Sequence, residues 1–154
     1  MIVGIHHTAI SVPDMEAAFA FYRDVLGFEV VSDSVWEKGS QMTDDIVGLR
    51  DSAARGAMLK APNAYIELFE YTAPQGADKD PNHSVADHGY THFGLQVRDI
   101  NAEYERLKAG GMTFHCPPQD MGTAWATYGR DPFGNVIEIY EILDDETPQL
   151  PPKA

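Results

Sequence analysis

Cysteine is all but missing from this chain: Cys116 stands alone among 154 residues. That rules out an intrachain disulfide and any thiolate cluster for zinc or an iron–sulfur centre. Positive charge is scarce as well. Eleven Lys and Arg, scattered singly, face 24 Asp and Glu, giving a formal net charge of -13 at pH 7. Nucleic-acid binders draw their affinity from clustered basic residues, so the balance argues against that class of partner. It also favours cationic ligands over anionic ones unless a local basic rim offsets the field. No apolar run approaches the ~18 residues of a membrane span, and the opening MIVGIHHTAISVPD lacks the basic start and long apolar stretch of a signal peptide. A soluble, cytoplasmic protein with no membrane partner is the expectation.

What is present is alternation. With 44% hydrophobic and 23% charged residues, the chain can build one sizeable core or two small modules packed together. IVGIHHTAISV reads as a strand ending at Pro13; Asp14 is a helix N-cap, with Met15, Ala18, Phe19, Tyr22 and Leu26 at helical spacing and Gly27 as the stop. FEVVSDSVW returns as a strand, QMTDDIVGLRD forms a short helix or turn, and GAMLKA and AYIELFEY are two strands joined at Pro62–Asn63. Residues 72–89, rich in Pro, Gly, Asp and Asn, read as a linker. THFGLQV, a helix capped by Asp99 and stopped at Gly110–Gly111, then MTFH, TAWATYG and NVIEIYEI repeat the order strand, helix, three strands. The expected divisions are a first module at 1–71, the linker at 72–89, a second module at 90–143, and a loosely ordered tail at 144–154.

The two halves match in residues as well as in order. HTAISVPDMEAAF (7–19) lies over HFGLQVRDINAEY (92–104) at a constant offset of 85, and YIELFEY lies over VIEIYEI. His7 to Glu67 spans 60 positions and His92 to Glu138 spans 46, so the first half carries 14 extra residues, which the QMTDDIVGLRD segment accounts for.

Each half therefore opens on a strand bearing His and closes on a strand bearing Glu. Because strand side chains alternate, Ile66 and Leu68 oppose Glu67, Ile137 and Ile139 oppose Glu138, and Phe93 and Leu95 oppose His92. The apolar faces have helices to pack against, which leaves His7, Glu67, His92 and Glu138 on the other surface. If the halves pair about a pseudo-twofold axis and each sheet curves, the four groups converge. Two imidazoles and two carboxylates suit one divalent ion, zinc, nickel, cobalt, manganese or iron(II). A solvated face has no reason to repeat residue identity across halves. His6 is expected on the opposite face as a structural or hydrogen-bonded histidine; His83 and His88 fall in the linker and His115 ends a strand.

The opening HHTAISVPDMEAAFAFYRDVLGFEVV, the closing DPFGNVIEIYE and the repeated unit resemble the vicinal oxygen chelate superfamily over about residues 2–142. That group includes glyoxalase I, methylmalonyl-CoA epimerase, extradiol dioxygenases, fosfomycin-modifying enzymes and bleomycin-resistance proteins. The resemblance implies an α+β fold of two βαβββ modules, with curved mixed sheets around a metal-binding cleft. It places the metal ligands at His7, Glu67, His92 and Glu138, and it implies a homodimer acting on a small-molecule substrate. Glu at the second ligand position is similar to bacterial-type glyoxalase I, which favours an isomerase or lyase moving a proton on a substrate that chelates the metal through vicinal oxygens. Either Glu67 or Glu138 is the catalytic base, with Glu67 preferred. The pocket wall is expected from Tyr65, Phe69, Tyr90, Gln96, Trp125 and Tyr140, with Met58 beside them. Arg23, Arg55, Lys60, Arg98 and Arg130 are the candidates to anchor an anionic group. Two alternatives stand beside this reading: an iron(II) extradiol-type dioxygenase, and a non-catalytic binder of a cationic drug similar to bleomycin-resistance proteins.

Overall fold

In the computed structural model, which describes residues 1–150, the first half runs β1 (His7–Ser11), α1 (Met15–Tyr22), β2 (Glu29–Trp36), α2 (Gln41–Val47), β3 (Ala53–Lys60) and β4 (Tyr65–Ala73). The second runs β5 (His92–Gln96), α3 (Ile100–Ala109), β6 (Thr113–Phe114), β7 (Gln119–Asp120), β8 (Ala124–Arg130) and β9 (Val136–Ile142). The chain divides into two units, Met1–Asp78 and Lys79–Ala154. The first holds a sheet in the order β1-β4-β3-β2; the second holds β5-β9-β8-β6, with β7 beside β8. In both, the opening strand is an edge strand parallel to the closing one, and the remaining pairs are antiparallel. This is the α+β class read from the sequence: two mixed sheets with interspersed helices and no closed barrel.

Helix starts follow the capping chemistry. Asp14 Oδ1 accepts from the Ala17 amide at 2.9 Å, and Asp99 Oδ1 accepts from Ala102 at 3.2 Å. Both of these helices, α1 and α3, are also tied to the closing strand of their own sheet by a glutamate. Glu70 accepts from the Met15 amide at 3.3 Å, while Glu141 takes the Asp99 and Ile100 amides at 2.7 and 3.0 Å. Those glutamates sit on the helix-facing side, together with buried Ile66 and Leu68 in one unit and Ile137 and Ile139 in the other. The cores form there, with Met15, Ala18 and Phe19 of α1, and Ile100 and Leu107 of α3, among the buried residues.

Several boundaries differ from the sequence reading. β1 begins at His7, not near Ile2, because its partner β4 begins at Tyr65, the Cα partner of His7. Nothing is left in β4 for residues 2–5 to pair with, and Ile2, Val3 and Ile5 are almost fully exposed. α1 ends at Tyr22 rather than at Gly27, because amides of Asp24 and Leu26 bond five residues back, to Phe19 and Phe21. The strand expected at 112–115 shortens to β6 at Thr113–Phe114, and a further two-residue strand, β7, which was not expected, follows it on β8. Pro117 and Pro118 fall between them, and a proline has no amide to give to a ladder. Within the segment 41–51, Gln41–Val47 form a helix, capped by Ser40 and closed by Gly48 in the left-handed conformation at φ 70°. In the tail, Asp144 gathers the amides of Glu146 and Thr147 and the Thr147 hydroxyl, and the Leu150 amide donates to Gln96 Oε1 at 2.7 Å. The part of the expected loose tail at 151–154 lies outside the described residues.

Candidate metal centre

Strand register decides which side chains share a face. In the first unit, His7 pairs with Tyr65, Ala9 with Glu67 and Ser11 with Phe69, while Met58 pairs with Glu67 from the other side. In the second, Gly94 pairs with Glu138 and Gln96 with Tyr140, while Tyr128 pairs with Glu138 from β8. His7 Nε2 lies 3.2 Å from Glu67 Oε2, and His92 Nε2 lies 3.4 Å from Glu138 Oε2. The two halves thus build the same imidazole–carboxylate pair at the same place in the repeat. Opposite each glutamate stands a small residue, Ala9 or Gly94; a Cβ added at Gly94 would sit 3.3 Å from Glu138 Oε2.

Metal bonds of about 2.1 Å put neighbouring donors about 3.0 Å apart at right angles and about 3.4 Å apart at tetrahedral angles. The two pairs fall in that window. In both, Nε2 is the nitrogen turned to the carboxylate, while Nδ1 is engaged elsewhere: His7 Nδ1 is 2.9 Å from His6 Nδ1, and His92 Nδ1 is 2.9 Å from Thr91 Oγ1. The four side chains are about 22–39% exposed, within reach of solvent and of a small molecule. The donor chemistry and spacing therefore fit a divalent ion. Among the described residues, no three His, Cys, Asp or Glu side chains gather into one group able to hold a metal.

The remaining candidates sort by register. Tyr65, Phe69 and Met58 share the face of Glu67, and Gln96 and Tyr140 share that of Glu138. Trp125 does not. It pairs with Glu141, the helix-capping glutamate, and so occupies the helix side of its sheet. Tyr90 lies before β5 and is 69% exposed, outside any strand register. Arg55 is also on the helix side, held by Asp33 and Glu16 at 2.7 Å each. Arg23 pairs with its neighbour Asp24, and Arg130 donates to the carbonyls of His83 and Gly134. None of these three arginines is an open anchor for an anion.

Sequence reasoning passed over three aromatic residues on the ligand faces. Tyr128 sits with its ring 4.5 Å from that of His92. Burial, and then the charge of Glu138, raise its phenol above the ordinary tyrosine range. Trp36 and Tyr71 flank Phe69 in a cluster with centroids 5.7–5.8 Å apart. Tyr71 is pushed upward too, by burial and then by Glu67. Gly56 leaves room for this cluster, since a Cβ there would lie 3.2 Å from the Phe69 ring and 3.4 Å from Trp36. His6 was expected on the opposite face, but it precedes the strand, so alternation does not govern it; it stacks on Tyr65 at 4.8 Å and turns toward His7.

The chain thus carries two mixed-sheet units, each presenting a histidine on its opening strand and a glutamate on its closing one. The chain belongs to the Glyoxalase/Bleomycin resistance protein/Dioxygenase superfamily, whose family model matches residues 4–139. It is 32% identical over 149 residues to a 2-epi-5-epi-valiolone epimerase of Actinomyces sp., covering 91% of this chain and 80% of that one. It is 31% identical over 139 residues to the lactoylglutathione lyase of Haemophilus influenzae, covering 89% and 91%. Among solved structures, a glyoxalase family protein from Bacillus cereus superposes with a TM-score of 0.83 at 21% identity, over 94% of this chain and 97% of that one. The fosfomycin resistance protein FosX of Listeria monocytogenes, solved with Mn(II) and sulfate, gives 0.60 at 17% identity, over 92% and 93%. No helix among the described residues is long and apolar enough to cross a membrane.

Proposed function

We propose that this protein is a divalent-metal-dependent isomerase or lyase that moves a proton on a small substrate carrying two adjacent oxygens. The observation that carries the reading is the recurrence of one imidazole–carboxylate pair, at 3.2 and 3.4 Å, at equivalent places in both units. The reading requires both pairs to serve one ion, within a chain or between two copies of it, and a homodimer accommodates either arrangement. The names of the relatives, an epimerase and a lactoylglutathione lyase, are those of isomerase and lyase chemistry.

A bound divalent cation would polarise the two substrate oxygens and stabilise the charge that develops as the adjacent carbon loses its proton. The chain's own residues do the rest. Glu67 takes the proton from carbon and returns it, with Glu138 as its counterpart in the other unit. Tyr65, Phe69, Trp36 and Tyr71 on one face, and Tyr128 and Tyr140 on the other, supply apolar walls that orient the substrate and thin out the water around the carboxylates. Four protein donors disfavour the dioxygenase alternative, which needs positions for both oxygen and substrate.

The test is metal analysis of the purified, reloaded protein together with Glu67→Ala and His92→Ala. These ligands are partly exposed, so neither substitution opens a core cavity. Wild type is expected to keep one divalent ion per site and both variants to lose it. With the metal found, turnover is screened on 2-epi-5-epi-valiolone, a 2-oxo hemithioacetal and an acyl thioester in deuterated water. Deuterium at the carbon beside the carbonyl is expected in wild type and is expected to be lost in Glu67→Ala together with the ion. Wild type without a stoichiometric ion would remove the reading.

A further inference from the structure

We propose that His6 and Thr91 are positioning residues, each holding Nδ1 of the imidazole that follows it through a hydrogen bond able to run in either direction. The assignment rests on the metal reading above. Position 6 lies over position 91 at the same offset of 85 that relates His7 to His92, so the contact recurs in both units although the residue type does not. His6 Nδ1 lies 2.9 Å from His7 Nδ1, and Thr91 Oγ1 lies 2.9 Å from His92 Nδ1. Adjacent residues within a strand point to opposite faces and could not meet this way. Here they meet because β1 and β5 start at the histidine itself, leaving the preceding residue free to turn to the ligand's side. Both strands are sheet edges, where no neighbouring strand blocks that turn.

The chemistry shared by histidine and threonine explains the choice. A neutral imidazole has one N–H. While Nε2 faces a carboxylate oxygen, as it does here at 3.2 and 3.4 Å, the hydrogen belongs on Nε2 and Nδ1 must accept. Once Nε2 gives its lone pair to a cation, the hydrogen belongs on Nδ1, which must donate. A partner that only donates or only accepts would fit one state and oppose the other. A hydroxyl does both by rotating, and a neutral imidazole does both by moving its hydrogen to the other nitrogen. Stacking on Tyr65, with an interplanar angle of 19°, fixes the His6 ring for this role. The carbonyl of His6 is itself fixed, accepting from the Tyr65 amide at 3.1 Å.

The experiment measures Zn²⁺ dissociation constants by chelator competition for wild type, Thr91→Val, Thr91→Ser, His6→Phe and His6→Thr, with circular dichroism confirming the fold. Valine keeps threonine's shape without the hydroxyl, and phenylalanine keeps the stack on Tyr65 without the nitrogen. Both should weaken zinc binding about 10–100-fold. Serine at 91, and threonine at 6 in imitation of the other unit, should stay close to wild type. Imidazole ¹⁵N spectra give a second readout: the hydrogen of His92 should sit on Nε2 in the metal-free wild type and on Nδ1 with zinc. Wild-type zinc binding with unchanged affinity in Thr91→Val and His6→Phe would overturn this assignment alone. A wild type that binds no zinc would overturn the metal reading, and this assignment with it.

Discussion

Asp44 shows how much of the molecule is set by single side chains. It lies in the inserted helix α2, is 8% exposed, and accepts from the Ser52 hydroxyl and from the amides of Ser52 and Asp51. The Ser52 hydroxyl in turn accepts from Trp36 Nε1 at 3.2 Å, so the carboxylate anchors the ring that walls the ligand face. The bonds from Ser52, foremost its hydroxyl, hold the acid below the ordinary aspartate range. A depressed folded pKa contributes stability that is present above the unfolded value and is lost as pH falls through the folded one. Melting temperatures of wild type and Asp44→Asn should therefore differ most above about pH 5 and converge as the pH drops below about 4. A gap constant across that range would show that the charge plays no part. None of this could be read from the sequence, where Asp44 is one of five polar residues among the six from Ser40 to Asp45. The four ligand candidates could be read there, because a repeated His and a repeated Glu need only one alignment to find. Tyr71 was readable by the same alternation that gave Phe69, two places before it, and was passed over; Trp36 and Tyr128 could not be read, because their faces depend on which strands pair and in what register.

At the scale of elements, the closing strands each carry two glutamates three positions apart, Glu67 and Glu70 in β4, Glu138 and Glu141 in β9. An odd separation puts them on opposite faces. The first of each pair meets the imidazole, and the second holds the N-terminus of the helix behind. Glu141 binds two amides there, including that of Asp99, a non-glycine residue at φ 54°. Glu141→Ala should cost about 1–3 kcal/mol, seen as a lower Tm, with zinc affinity unchanged. Glu138→Ala should do the reverse. Equal effects of both on Tm would contradict the two-faced reading. Helix starts and strand identities were visible in the sequence, since capping aspartates and period-two alternation are local. The end of α3 at Gly110 was visible too, but the end of α1 and the strand β7 were not, being set by which carbonyls and which partner strand lie in reach.

For the whole molecule, the proposed metal reading requires the two pairs to serve one ion, within one chain or between two copies. Mixing His7→Ala with His92→Ala under conditions that exchange subunits separates the possibilities. If a site draws one unit from each of two copies, half of the mixed dimers' sites combine two intact units, and activity returns on mixing. If a site lies within one chain, every site keeps one damaged unit and mixing restores nothing. Repetition was legible from residue identities, and with it the fold class, but assembly is a matter of surfaces that no single alignment of halves reveals. The pairing of glutamates on one strand also dictates where this chain tolerates changes of length. One residue gained or lost between Glu67 and Glu70, or between Glu138 and Glu141, would put both carboxylates of that strand on one face and leave the other face without its glutamate. The first half meanwhile carries 14 residues more than the second between its His and its Glu with the same geometry intact. Insertions engineered to reshape the pocket therefore belong in the stretch around α2, and the rods that carry the acids must keep their count.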